Sequence, residues 1–551
     1  MNRARRIWHI GLFAIALALL LSGRLIYWQL FWEEGRATAV VTAPGEDDTP
    51  VPEPGSALPP PKATQEPTVA IASPGTRTPT PSPQPTATAT PSPTPTVDPA
   101  TIVRGTIYDR HGRALAYDLQ REGNIPLRFY REPSLAHVVG YLSGIRKGVS
   151  GIEAAFDETL LGTDGDAVPD RGNDLYLTID SRIQRAAAEA LAGTAGAIVV
   201  LNPQSGAVLA MASAPAFDPN QILDPAYLAS LQNCEGNVDC RQPLLNRATQ
   251  GLYTPGSTWK TVTLMAGLDT GQVSAGTVFD FGEPRRDENG QIYYVYTVDG
   301  FSIRDPNHTE SRLTLPRSYA VSANAAFARI GDEMPPEVML AYAARLGFGQ
   351  DSAPPIEIEA GAARLAREPQ DLLTDNPLRA STAIGQGELL ASPLTIALMT
   401  AAAVNEGDVP DPYLVETMQT PAGSTIEIEG GGVWIEDAIR PETAALVREM
   451  MIEAVRSGSG FRAQVPGLTV GGKTGTAQVG GDNLPHAWFT GFVEDGGGQT
   501  LVITVLIENG GSGSRVAAPL FSRVADVASN HAGEPVEEIV PEPAAVPAND
   551  E

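Results

Sequence analysis

Three short stretches pair residue types that together could carry acyl chemistry. In PGSTWK, residues 255–260, Ser257 and Lys260 stand three apart, a spacing that puts both side chains on one face of a helical turn. A serine hydroxyl is a weak nucleophile until a neighbouring base takes its proton. Lysine can be that base only if burial or a second cation drives its pKa below the usual value of about 10.4. Pro255 and Gly256 suit a turn into a helix, with Ser257 near the N-terminus, where the helix dipole favours developing negative charge. The plainer reading is an exposed lysine on an ordinary helix. In YAVSANAAFARIG, Ser322 and Asn324 offer a hydroxyl to relay protons and an amide to hold a substrate amide; the plainer reading is an N-cap for the helix AAFARI. In LTVGGKTGTAQVG, Lys473, Thr474 and Thr476 present a cation and hydroxyls to a carboxylate. Gly472 and Gly475 there would let a substrate backbone come close.

The lysine count sharpens this. Among 38 basic residues only Lys62, Lys147, Lys260 and Lys473 are lysines. Arginine effectively never loses its proton, whereas a buried lysine can, and two of the four fall inside the three stretches. Competing motifs are weaker. Gly467, Gly472, Lys473 and Thr474 match a phosphate-loop spacing, but that loop must open a helix, and the β-type residues that follow Gly475 predict a strand. The six histidines show no HExxH spacing and no GxSxG elbow occurs. His111, in a turn, and His486, beside a strand start, read as structural. Nothing calls for a metal or a cofactor. A net charge of -27 over 551 residues argues against a nucleic-acid partner.

The elements that must position these groups are of mixed type. GAIVVLNPQSGAVLAMASA and HAWFTGFVEDGGGQTLVITVLIENG predict two antiparallel hairpins, one before and one after the Ala-rich helical stretches. A helix over APLFSRVADVASN follows the second hairpin. Ser181 and Gln184 predict a capping box opening the helix SRIQRAAAEALAG after the strand LYLTID. Upstream, RGTIYDRHGRALA predicts two short strands around a DRHG turn, and residues 151–165 a short helix closed by glycine.

The ends differ in kind. Residues 1–6 carry Arg3, Arg5 and Arg6, and residues 7–32 are a predominantly apolar run broken by the charge of Arg24. That predicts a cytoplasmic tail and an uncleaved transmembrane anchor, with the rest of the chain outside; the other reading of 7–32 is a cleaved signal peptide. Residues 33–100 are predicted to be a linker, its Pro/Thr-rich part 42–100 too poor in apolar residues to fold. Residues 101–178 form a small pedestal, 179–531 the catalytic domain and 532–551 a disordered acidic tail. Cys234 and Cys240, in NCEGNVDC, are either a small disulfide-closed loop or two free thiols.

SxxK, then SxN, then KTG in this order resembles the serine penicillin-recognising enzymes. RGTIYDRHGRALA, AHVVGY, LTIDSRIQ, TPGSTWK, AIGQGELLASPLTIA, GGKTGTAQ and HAWFTGF are similar to stretches of the class B penicillin-binding proteins. The resemblance implies an α+β transpeptidase fold related to serine β-lactamases, an antiparallel sheet flanked by helices. It implies peptidoglycan D,D-transpeptidation. Ser257 is then the nucleophile, Lys260 the base and Ser322 the proton shuttle. Asn324 holds the stem-peptide amide, and Lys473, Thr474, Gly475 and Thr476 form the carboxylate-binding strand. Backbone N–H groups of Ser257 and Thr476 form the oxyanion hole. β-Lactams would trap Ser257. The chain leaves no room for a glycosyltransferase domain, so a membrane-embedded glycan polymerase is an expected partner, contacting residues 7–32. A D,D-carboxypeptidase or β-lactamase-like hydrolase, and a non-catalytic β-lactam sensor or wall-synthesis scaffold, are the competing readings. The segment after Arg104 is short for the family and the linker long, which bears on positioning rather than chemistry.

Overall fold

The computed structural model describes residues 101–530 apart from 120–124, 164–169, 233–240, 350–352, 429 and 482. The expected tail, anchor and linker (1–100), the acidic tail 532–551 and both cysteines lie outside the described residues. Among those described, no helix is long and apolar enough to cross a membrane.

The two predicted hairpins form and join into one five-stranded antiparallel sheet. Its order is Thr469–Ala477, His486–Glu494, Thr500–Ile507, Gly196–Leu201 and Val208–Ala214. The strand Gly196–Leu201 is buried at every position, which explains its continuous apolar run rather than an in–out alternation. Alternate residues feed two cores. Ile198 and Val200 pack with Ile183, Ala187, Phe521 and Val524 of the helices Ser181–Ala190 and Ala517–Asn530. Val199 and Leu201 belong to the larger core with Ile396 and Met399 of the helix Pro393–Ala402. The KTG stretch is therefore an edge strand, as its β-type residues imply, and not a loop opening a helix.

Two local expectations change. Asp180, not Ser181, caps the helix Ser181–Ala190 by accepting from Arg182 N. Ser181 Oγ is instead committed to buried Asp109 at 2.6 Å, and Gln184 bridges Ser134 O and the backbone of Met211. The helix expected over 151–165 breaks at Phe156 into Gly151–Ala155 and Asp157–Leu161, closed by left-handed Gly162. His111 bonds Asp180 at 3.0 Å and His486 accepts from Asn509 N at 3.1 Å, both tying loops together.

A six-stranded sheet stands upstream, in the order Thr425–Glu427, Val415–Gln419, Asp174–Leu177, Ile107–Tyr108, Ala114–Leu119, Leu127–Tyr130. Two of its strands come from more than 200 positions further along the chain. Behind it, Arg104 and Arg128 clasp Glu153 at 2.6 and 2.7 Å, Arg104 also meets Asp157 at 2.8 Å, and Arg128 and Arg146 both reach Asp118.

Candidate active site

Ser257 sits in a 3-10 turn, Gly256–Trp259, that runs directly into the helix Lys260–Asp269. In a 3-10 turn, side chains three apart eclipse, so Ser257 and Lys260 share one edge more closely than in the expected α-helix. Packing forces the turn. Gly256 has φ +56, and a Cβ there would lie 3.0 Å from the carbonyl of Thr476. Its N–H donates to Gly385 O at 2.9 Å, and a Cβ on Gly385 would come within 1.7 Å of Gly256 O. Fully buried Trp259 anchors the turn edge-on against Phe348. Trp488, from the second sheet strand, donates its indole N–H to Thr254 O at 3.0 Å.

The two lysines meet on one hydroxyl. Lys260 Nζ donates to Ser322 O at 2.7 Å and Asn324 Oδ1 at 2.7 Å, and lies 3.3 Å from Ser322 Oγ. Lys473 Nζ lies 2.8 Å from the same Oγ and donates to Thr474 O at 3.1 Å. Both lysines are fully buried. Burial lowers Lys260 to about 7 although the carboxylate of Asp305 pulls the other way. Burial lowers Lys473 too, helped by the charge of Lys260. Two ammonium groups this close and this dry cannot both keep their protons, so the pair holds a neutral amine near neutral pH. The bonds of Lys260 Nζ run to Ser322 and Asn324 and none to Ser257 Oγ; Ser257 is half-buried, and its neighbour Gly256 lies against the Thr476 backbone.

Ser322 does not cap a helix. The helix Asn324–Glu333 starts after it, with Ala323 at the N-cap, and the Ser322 hydroxyl is taken by the lysines. Its backbone has φ +62, a left-handed conformation rare for a residue with a Cβ and typical of functional sites.

On the edge strand, Thr474 Oγ1 shares a hydrogen bond with Ser459 Oγ at 2.8 Å, and exposed Thr476 accepts from Gly513 N at 3.2 Å. A Cβ on Gly475 would meet Pro255 O at 2.7 Å, Trp488 Cβ at 2.9 Å and Thr258 Cγ2 at 3.0 Å. That glycine is required by the strand's packing on the Ser257 turn; the space beside it is filled by the chain itself. A Cβ on Gly472 would likewise strike the Phe489 ring. Ser257, Lys260, Ser322, Asn324, Lys473, Thr474 and Thr476 thus come from three distant stretches to one place. Sequence reasoning missed Ser459, Gly385, Asp305 and Asn307. Gly385 alone had a signal, the AIGQG stretch.

The residues 196–526 match the family model for the penicillin-binding protein transpeptidase domain. The chain is 30% identical over 453 residues to the peptidoglycan D,D-transpeptidase PbpA of Mycobacterium tuberculosis, covering 77% of this chain and 88% of that one. The chain belongs to the penicillin-binding protein transpeptidases. A second relative, the peptidoglycan D,D-transpeptidase MrdA of Acinetobacter baumannii, is 29% identical across 72% of this chain and 65% of its own length. A crystal structure of the D,D-transpeptidase domain from Eggerthella lenta superposes with a TM-score of 0.69 at 31% identity, over 79% of this chain and all of that one. The ceftriaxone acyl-enzyme complex of penicillin-binding protein A from M. tuberculosis gives 0.68 at 27%, over 78% and 99%. For a penicillin-binding transpeptidase, the stretches outside the three motifs now have work of their own. AIGQG braces the Ser257 turn through Gly385, and HAWFTGF supplies Trp488 and the strand paired with KTG.

Proposed function

We infer that this protein is a peptidoglycan D,D-transpeptidase working through an acyl-enzyme on Ser257. The observation that carries the reading is the convergence of Lys260 and Lys473 on Ser322 Oγ beside the Ser257 turn. Ser257 Oγ attacks the carbonyl between the two terminal D-alanines of a stem peptide, and Lys260, neutral, takes its proton. Backbone N–H groups of Ser257 and Thr476 face the developing oxyanion. The C–N bond breaks, and the leaving D-alanine amine receives a proton through Lys260 and Ser322. The amine of a neighbouring stem then attacks the ester, gives its proton to the same relay, and restores the Ser257 hydroxyl. The terminal carboxylate lies against Lys473, Thr474 and Thr476, and Asn324 holds the stem amide. A carboxylate beside Lys473 favours its ammonium form, and that charge favours a neutral Lys260. A β-lactam follows the first half and stops at the ester.

Residues 7–32 anchor the catalytic domain outside the membrane in this reading, and the apolar run after an Arg cluster supports it. The linker stretch 42–100 reaches at most about 180 Å. A membrane-embedded glycan polymerase meeting residues 7–32 supplies the glycan strands.

Labelled penicillin should acylate the full chain, and Ser257→Ala should remove the label entirely; undiminished labelling would end the assignment. With two stem-peptide types, mass analysis should find the cross-linked dimer. Hydrolysed monomer alone would mark a carboxypeptidase.

A further inference from the structure

Ser322 is held in a left-handed conformation by something, and the neighbour that holds it is a five-residue segment, Arg304–His308. It begins with the last two residues of the strand Phe301–Asp305, whose hairpin partner is Ile292–Val298. Asn324 Nδ2 donates to Arg304 O at 2.9 Å, and Ala325 N to Asp305 Oδ2 at 2.8 Å. Asn307 Nδ2 donates at 2.7 Å to Ser322 O, the same carbonyl that accepts Lys260 Nζ. Asp305 and His308 side chains are wholly buried, with Nε2 at 3.3 Å from Oδ2. His308 Nδ1 lies 2.9 Å from Glu310 O, and its ring is stacked on Tyr294 and tilted against Phe281. A buried carboxylate is costly unless charges or donors surround it. This one has an imidazole on one side and the Ser322–Ala325 turn on the other.

We propose that Arg304–His308 is a positioning element for the acylation step: Asp305, backed by His308 and flanked by Asn307, fixes the Ser322–Asn324 turn and supplies the anionic charge that faces the paired lysines. It rests on the reading of Lys260 as the base for Ser257. The charged and titratable groups around Lys260 are Lys473 from the edge strand, Asp305 from this segment, and the Tyr319 phenol, bonded to Thr261. Beyond His308, the Glu310 carboxylate is paired with Arg317. Asp305 opposes the effect of burial on Lys260, and Lys260 in turn holds Asp305 below the usual carboxylate range, after its bond from His308. The segment therefore acts twice: it shapes the turn through acceptors and donors, and it delays loss of the Lys260 proton through charge.

Asp305→Asn separates the two, because it keeps an acceptor for Ala325 N and deletes the charge. The rate of Ser257 acylation by labelled penicillin, measured against pH on the full chain, should then show its acid limb displaced downward by roughly one pH unit. Asp305→Ala should show the same displacement and a plateau lowered roughly tenfold, as the turn loses its acceptor. Asn307→Asp puts a second carboxylate beside Ser322 O and should move the limb upward. A thermal melt establishes that each variant is folded. An Asp305→Asn limb lying on the parent's overturns the proposal. If that variant does not fold, an Asn307→Asp limb lying on the parent's overturns it instead. A parent chain that penicillin never acylates at Ser257 would defeat the proposed function; acylation with an immobile limb would defeat only this inference.

Discussion

Two groups of buried charges lie in this chain, and they are built on opposite plans. Behind the six-stranded sheet, three guanidiniums, Arg104, Arg128 and Arg146, meet three carboxylates, Glu153, Asp118 and Asp157. Beside the Ser257 turn, two lysine amines converge on one hydroxyl, and the carboxylate acting on Lys260 is Asp305. The first group is balanced and uses the cation that cannot release its proton. It fixes shape. The second is short of negative charge and uses the cation that can. Burial, with few carboxylates to offset it, lowers Lys260 and Lys473, and a neutral amine there is what the proposed acyl transfer requires. Of the four lysines in a chain that writes nearly all its positive charge as arginine, two, Lys260 and Lys473, stand where the proposed reaction moves a proton.

The comparison can be broken at either end. The largest expected effect is at the lysine pair: Lys260→Arg keeps a cation and removes the proposed base. Acylation of Ser257 should fall roughly 10²- to 10⁴-fold in rapid-mixing measurements with labelled penicillin, and a rate near the parent's would erase the contrast. At the other end, Glu153→Gln removes the carboxylate that Arg104 and Arg128 share and leaves three buried guanidiniums against two carboxylates, Asp157 and Asp118. Denaturant unfolding should show a loss of about 3–5 kcal/mol, with the acylation rate per folded molecule kept. If the rate fell in step with stability, the two clusters would not be separate devices. A third test uses pH. Lys260 is pushed down to about 7; below that it is protonated and cannot accept, above it the amine is free. Acylation should rise through about pH 7 to a plateau, and a flat profile from pH 5 to 9 would remove the neutral amine. The smallest effect is expected from Arg128→Lys. An ammonium cannot reach Glu153, Asp118 and Gly105 O together as the guanidinium does. A loss of about 1 kcal/mol in the same unfolding assay, well under that of Glu153→Gln, would sharpen the claim that geometry as well as charge matters there.

The parts of this molecule that sequence made visible are those set by local pattern. The hairpins around NPQSG and DGGGQ showed themselves by β-type runs on both sides of turn residues. The three motifs showed themselves by residue types whose chemistry is complementary. What stayed hidden depends on long-range contact. Ser322 gives no sign of its left-handed backbone, because the cause is Asp305, Asn307 and two lysines brought in by tertiary packing. The Asp180 cap was displaced by one residue in the reading because the Ser181 hydroxyl is claimed by Asp109, seventy-odd positions upstream. Nothing in Ser459 distinguishes it from other serines until Thr474 lies beside it. The stretch Val415–Glu427 forms a hairpin that the sequence reading does not predict, and its sheet partner Asp174–Leu177 lies more than 200 positions upstream.

That last stretch has a consequence for how the molecule comes into being. The strand Asp174–Leu177 takes Val415–Gln419 as its neighbour, and Thr425–Glu427 closes that edge. While a ribosome is still reading the intervening codons, the early region has an open seam and no native partner to close it. Pairing so far apart along the chain is slow, since a long loop must be ordered first. A nascent chain stalled before residue 415 would therefore expose a sticky strand, and chaperone occupancy or protease sensitivity of arrested chains should drop once residues 415–427 have emerged from the ribosome.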